Sequence, residues 1–534
     1  MFALCVSGFA GMVSTGCQEP EYRQQWDESY DISAPFRAKD GAMVYIHRSF
    51  GQIIRVQPAK INGKVEILHD RIRIDGDLQQ GLLNGDGTAL FVMDGDKKLH
   101  RVDLSNPDEM SVDSVDLASA YDRMVLDPEE EFLLMSFNDS SQSSAKIIVR
   151  NLNEVAIVDL RAAEMDARFV TLSNRALDFE FAPSFELGGE SRRLVAALSN
   201  SEVTIVDLLA EDDLNALREV PLTLSEAEAI KRPEQAVFDV TPDESLPDTI
   251  NLYVKTTQGT DITQISVQPS VRQDSAYTFD ISVNQLAAGA SPGKIAVLEL
   301  PGRGTRLLAL NRATPEFTLV DVASGESASF TLPMTKAATE FLTYTASRQA
   351  GEDATEEIRI LAYSQDSPVV SVIRPETISI GGDQPTLGRS VEAIRLERNP
   401  SSIDYDAEAA ANRAVVFHGG YSGGFTILDL EANRDLPIDG YSLNDVLFDG
   451  LYAYGTLASS NLVAFELDTG HPTAFDLPYQ AQSLTLDVSE GVLLLDAGEP
   501  EGSFIALDAE EPTPENAQVH QAIFLEGALN FFDK

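Results

Sequence analysis

Asn84-Gly85-Asp86-Gly87-Thr88-Ala89-Leu90-Phe91-Val92, followed after a polar turn by Val102-Asp103-Leu104, is the stretch that decides the fold. Glycine tolerates positive φ and aspartate hydrogen-bonds the backbone ahead of it, so Asp86-Gly87 predicts a tight turn. Leu90-Phe91-Val92 is then a short apolar run suited to a strand covered on both faces. The unit returns as Phe132-Leu133-Leu134-Met135 with Ile157-Val158-Asp159-Leu160, and as Leu194-Val195-Ala196-Ala197 with Ile205-Val206-Asp207-Leu208. It returns again as Arg306-Leu307-Leu308-Ala309 with Leu319-Val320-Asp321-Val322, and as Ala414-Val415-Val416-Phe417 with Ile427-Leu428-Asp429-Leu430. A further copy pairs Leu451-Tyr452-Ala453-Tyr454 with Ala464-Phe465-Glu466-Leu467. Self-similarity at about 40–55 residues marks a repeat architecture, here one made of strands.

Apolar segments ahead of these pairs suit the innermost strand of each unit: Gly81-Leu82-Leu83, Met124-Val125-Leu126, Leu177-Asp178-Phe179, Ala236-Val237-Phe238 and Ile295-Ala296-Val297. Later ones are Val391-Glu392-Ala393-Ile394, Val446-Leu447-Phe448 and Leu484-Thr485-Leu486. Degenerate units at 43–56, 252–267, 360–373 and 492–508 bring the count to ten hairpins. The pattern predicts an all-β fold, a single β-propeller over residues 39–532. Seven or eight blades are expected from the usual size of such rings, and ten if every hairpin is a blade. Closure is expected through pairing of terminal strands, residues 42–56 meeting 522–525. The recurrent aspartates, Asp103, Asp159, Asp207, Asp321 and Asp429, are expected to cap the next turn rather than to hold a ligand. Short helices are expected between strands at 209–218, after the capping box Thr223-Leu224-Ser225-Glu226, and at 406–413.

The unit resembles the YVTN family of β-propeller repeats, whose consensus runs through Asp-Gly, a strand, a polar turn and a strand ending Val-Ile-Asp-Leu. The resemblance implies the propeller fold and fixes no activity.

The N-terminus reads as an address. An apolar run ends in Ser14-Thr15-Gly16-Cys17, an export-signal core followed by small residues and a cysteine. It resembles a bacterial lipobox, with Ser14 in the place of the usual Leu and no Lys or Arg before the run. That resemblance implies residues 1–17 as signal, a lipid-modified Cys17, and residues 18–38 as an acidic tether carrying Trp26. A cleavable secretory signal or a buried N-terminal strand are the alternatives. Cys5 and Cys17 are the only cysteines, so acylation at Cys17 leaves the mature domain without a thiol.

The formal net charge of −46 repels phosphate backbones and anionic lipid, which sets nucleic acid aside as a partner. Gly420-Tyr421-Ser422-Gly423-Gly424 has the letters of a nucleophile elbow but lies between two strands, where a glycine-rich hairpin loop is the better reading. Six histidines show no zinc-ligand spacing, and His418 is the best single ligand contact among them. Asp94-Gly95-Asp96 and Asp404-Tyr405-Asp406-Ala407-Glu408 cluster carboxylates enough for Ca²⁺ without the twelve-residue loop that binds it tightly. No catalytic residue, metal ligand or cofactor is assigned. The expected function is a lipid-anchored binding or scaffold module of the bacterial envelope, with a protein or glycan partner. The alternative is a lactonase-like hydrolase or lyase working in the central pocket.

Overall fold

The computed structural model describes residues 31–106, 109–138, 151–162, 164–187, 189–210, 216–223, 230–240, 249–257, 259–269, 279–350, 353–380, 390–405, 412–418, 424–439, 441, 443–449, 452–457, 459–509 and 516–525. Cys17 and residues 18–30 of the tether lie outside them, as do most of the helical segments expected from sequence. Leu217 and Arg218, the end of one such segment, belong to the strand Leu217–Pro221.

Ten four-stranded antiparallel sheets follow one another along the chain. In chain order the blades span residues 36–73, 78–116, 123–171, 178–221, 233–287, 292–331, 340–395, 400–439, 443–476 and 483–520. Every hairpin counted in the sequence is therefore a blade, at the upper end of the expected range. Among the described residues, blade 4 alone inserts a small hairpin, Phe185–Leu187 with Glu190–Arg192, between its first and second strands. One inner strand differs from its expected place. Val391–Arg395 is the outermost strand of blade 7, and Pro400–Tyr405 is the first strand of blade 8.

Burial explains the sequence pattern. Second strands such as Phe132–Ser136 and Leu194–Leu198 are buried at all five positions, because each is covered by the blade on either side. Outer strands such as Ser111–Asp116 are largely exposed, because radiating blades diverge toward the rim. Ten apolar clusters fill the ten gaps between neighbouring blades. Gly87, in the turn that opened the sequence reading, has φ +72°, and a Cβ there would lie 2.7 Å from Ala38 of blade 1. In that turn it is the Asn84 side-chain oxygen that accepts from Ala89 N–H, at 2.8 Å, while Asp86 faces Lys39.

Closure differs from the sequence expectation. Each sheet is completed by four strands of its own region, and no described strand crosses between blade 1 and blade 10. Residues 42–56 do meet 522–525, but by side-chain packing. Met43, Tyr45, Ile54 and Val56 form one cluster with Val492, Leu494, Phe504, Ile523 and Phe524. Tyr45 O–H donates to Asp496 Oδ2 (2.8 Å) and Lys60 Nζ to Asp508 Oδ2 (2.7 Å).

Along the axis, side chains take over the work of a missing ladder. Gln235 of blade 5 donates to Ile295 O and accepts from Ile295 N–H of blade 6, both at 2.9 Å, imitating one step of a strand pair. Arg48 Nε reaches Gln79 O (2.9 Å), and Gln365 Nε2 reaches Ser401 O (2.8 Å). Asp445 of blade 9 accepts from Leu484 N–H of blade 10 (2.9 Å) and pairs with Arg37 of blade 1, so one carboxylate ties three blades. Inner edges that would otherwise offer unpaired backbone groups are thereby occupied.

Candidate functional site

The recurrent aspartates sit where the third strand of each blade ends, and all five cap turns. Asp103 accepts from Ser105 N–H, Asp159 from Arg161, Asp207 from Leu209, Asp321 from Ser324 and Asp429 from Glu431, at 2.9–3.1 Å. Arginines complete four of them: Arg161 on Asp159, Arg192 on Asp207, Arg306 on Asp321 and Arg413 on Asp429. These carboxylates are structural, as the sequence reading expects.

His100 lies in the third strand of blade 2, directly opposite Ser114 of the outer strand. Its Nδ1 is 2.8 Å from Ser114 Oγ and its Nε2 is 2.8 Å from Asp94 Oδ2, while Asp94 Oδ1 accepts from Lys98 N–H. The three residues share one sheet, and two of them are buried in it, so they brace strands two to four. Asp94 thus turns into the sheet, whereas Asp96 is exposed. His418 is engaged as well, with Nε2 2.8 Å from Thr426 Oγ1 and Nδ1 3.1 Å from Asn399 O. The loop with Ser422 lies outside the described residues. Its flanks, Arg413–His418 and Gly424–Asp429, are antiparallel neighbours in blade 8, the hairpin context inferred from sequence.

Sequence reasoning missed a buried ion pair between blades 3 and 4. Arg193 donates from Nε to Asp127 Oδ2 (3.0 Å) and from Nη1 to Ser184 Oγ (3.2 Å), and pairs with Glu129. Asp127 Oδ1 accepts from Glu131 and Phe132 N–H (2.7 and 3.2 Å). Both charges are almost wholly withdrawn from water, at 1% and 0% side-chain exposure, and both are saturated with partners.

It also missed Glu180, on the first strand of blade 4. Burial, with Asp178 adding like-charge repulsion, pushes its carboxyl up to about 7. A raised folded-state value means the folded protein holds this proton more tightly than the unfolded chain. Stability from it is complete below about pH 4.5 and is lost as pH rises through about 7. Glu180→Gln is therefore expected to match the parent near pH 4. It should exceed the parent by up to about 3 kcal/mol at pH 8, read from urea midpoints at both values. Equal midpoints at pH 8 would refute this reading.

A concavity with polar groups converging on it lies at the closure seam. The outer strands of blade 1 (Lys64–Arg73) and blade 10 (Gln518–His520) flank a groove of about 420 Å³. Lys64, Glu66, Gln518 and His520 supply polar groups, and Val65, Ile67 and Val519 the apolar ones. Val65 and Ile67 also pack against the buried cluster of Tyr45, Phe504 and Phe524, whose ring centroids are 4.9–5.8 Å apart. No spacing in the sequence could reveal it, because its two walls lie at opposite ends of the repeat array.

Taken together, the sheets and clusters define a ten-bladed β-propeller with closed packing. No family model matches the chain, and a search of curated proteins finds no match to it. Solved structures similar to it include dihydro-heme d1 dehydrogenase NirN in complex with DHE, 12% identical over 82% of this chain and 73% of that one, TM-score 0.38. Apo AztD from Citrobacter koseri is 12% identical over 68% of this chain and 86% of its own, TM-score 0.31. Sqt1 from Saccharomyces cerevisiae is 10% identical over 81% and 92%, TM-score 0.32. Likenesses this distant bear no weight on activity.

Proposed function

We propose that the protein is a binding module of the bacterial envelope, exported and acylated at Cys17, that presents its ring to a protein or glycan partner. The seam groove is the observation that carries this reading. It is open, of ligand-pocket size, and mixes a cation, an anion, an imidazole and an amide with the apolar Val65, Ile67 and Val519. The recurrent aspartates are by contrast consumed in turns, and Asp127, Arg193 and Asp445 in inter-blade ties. The YVTN-like unit supports the same view, since its regular positions build blades and leave recognition to the surfaces between them.

Two measurements test the proposal. Mass spectrometry of the mature N-terminus is expected to find a lipid-modified Cys17 as first residue; an unmodified Met1, or cleavage well past Cys17, removes the anchor. A photo-crosslinker placed at Glu66 is expected to capture one stoichiometric envelope protein or glycan, and the capture to be lost with Lys64→Glu and His520→Glu together. Turnover on a panel of lactones and esters, unaffected by those substitutions, would favour the hydrolase or lyase alternative instead.

A further inference from the structure

The outer strand of every blade exposes one edge, and an exposed edge invites pairing with another chain unless something blunts it. Most edges here are blunted. Pro221, Pro437 and Pro472 stand in the outer strands of blades 4, 8 and 9. Charges of Asp113 and Asp116, Asp166 and Arg168, and Glu392 and Arg395 protect blades 2, 3 and 7. The outer strand of blade 10 has three residues and that of blade 6 has five. Blade 1 has a ten-residue edge, yet it is rich in charge, and pairing with its own copy in the central register would set Lys64 against Arg73.

Blade 5 lacks these defences. Its outer strand Phe279–Ala287 runs nine residues with Asp280 as the sole charge, and it pairs with Asp261–Pro269 at every position without a bulge. Ser282, Val283 and Asn284 are exposed at its centre, Val283 by 42%. Arg218 of blade 4 donates to Phe279 O (3.1 Å) and steadies the first end. Antiparallel pairing of this strand with itself about Val283 sets Asp280 opposite Leu286, Ile281 opposite Gln285, and Ser282 opposite Asn284. No like charges face each other, and Val283 meets its own copy, as a two-fold interface requires.

We propose that the blade 5 edge joins two copies of this chain through antiparallel strand pairing centred on Val283. The joint lies across the ring from the seam between blades 10 and 1, so a dimer carries its two grooves at opposite ends and leaves both open. The net charge of −46 on each copy opposes association, and salt screens that repulsion, so the dimer is favoured as ionic strength rises.

The test uses the full chain carrying Cys5→Ser and Cys17→Ser, so that neither lipid nor native thiol drives association. Sedimentation velocity should show a species of twice the 58.0 kDa chain mass, its fraction growing with added NaCl. Val283→Lys should return it to monomer, with an unchanged far-ultraviolet spectrum, while Val519→Lys at the seam should leave the dimer intact. If Val283→Lys fails to fold, Val283→Cys serves instead: mild oxidation should lock it as a dimer stable in detergent, and Val519→Cys should not lock. A wild-type monomer at every salt and protein concentration overturns the proposal. So does a dimer that survives Val283→Lys, or one lost with Val519→Lys, which would place the contact at the seam.

Discussion

Replacing Arg193 with methionine is expected to lower the free energy of unfolding by about 3–5 kcal/mol, read from the urea midpoint at constant m. The loss comes from Asp127, which keeps two backbone donors but loses the cation that neutralises it in a buried gap between blades. The magnitude follows from the asymmetry of buried charge. Withdrawing both ions from water is costly, and their attraction roughly offsets that cost, so removing one partner exposes the full penalty of the other. Combining Arg193→Met with Asp127→Leu should therefore recover much of the loss. A single variant as stable as its parent would show that water reaches this gap.

Phe524→Ala is expected to cost a similar amount, about 3–5 kcal/mol, because it empties the middle of the closing cluster. The ring of Phe524 meets Tyr45 edge-on at 4.9 Å and Phe504 at 5.8 Å, and it is 3% exposed. Here the damage should be local. Hydrogen exchange should accelerate in blades 1 and 10 and stay unchanged in blades 4 to 7, since no shared strand transmits the loss. Uniform acceleration around the ring would mean that opening the seam unfolds every blade at once.

Much of this architecture was legible in the chain because its causes are local. A middle strand covered on both faces must be apolar throughout, so runs such as Leu90-Phe91-Val92 announce themselves. Asp159 and its equivalents announce turns because their partners lie two or three residues ahead. Inner and outer strands are harder to separate, since both are half-covered. Val391–Arg395 and Pro400–Tyr405 carry similar partial burial, and the more apolar of the two proved to be the outer strand. The Arg193–Asp127 pair spans 66 residues and obeys no period. The seam groove joins residues more than 400 positions apart and leaves no trace in sequence order.

Closure without a shared strand has a consequence for how the chain is made. Nearly every ladder joins strands adjacent in sequence, so each blade holds its hydrogen-bonding partners as soon as its own region has been synthesised. The Tyr45–Asp496 contact, 451 residues apart, belongs to a different stage. Until blade 10 exists, the face of blade 1 bearing Met43, Tyr45, Ile54 and Val56 has nothing to cover it. The blade 9 face bearing Tyr454 and Leu462 is bare at the same time, so a nascent chain with nine finished blades is an open array with two greasy ends, the species most prone to misassembly or to capture by a holdase chaperone.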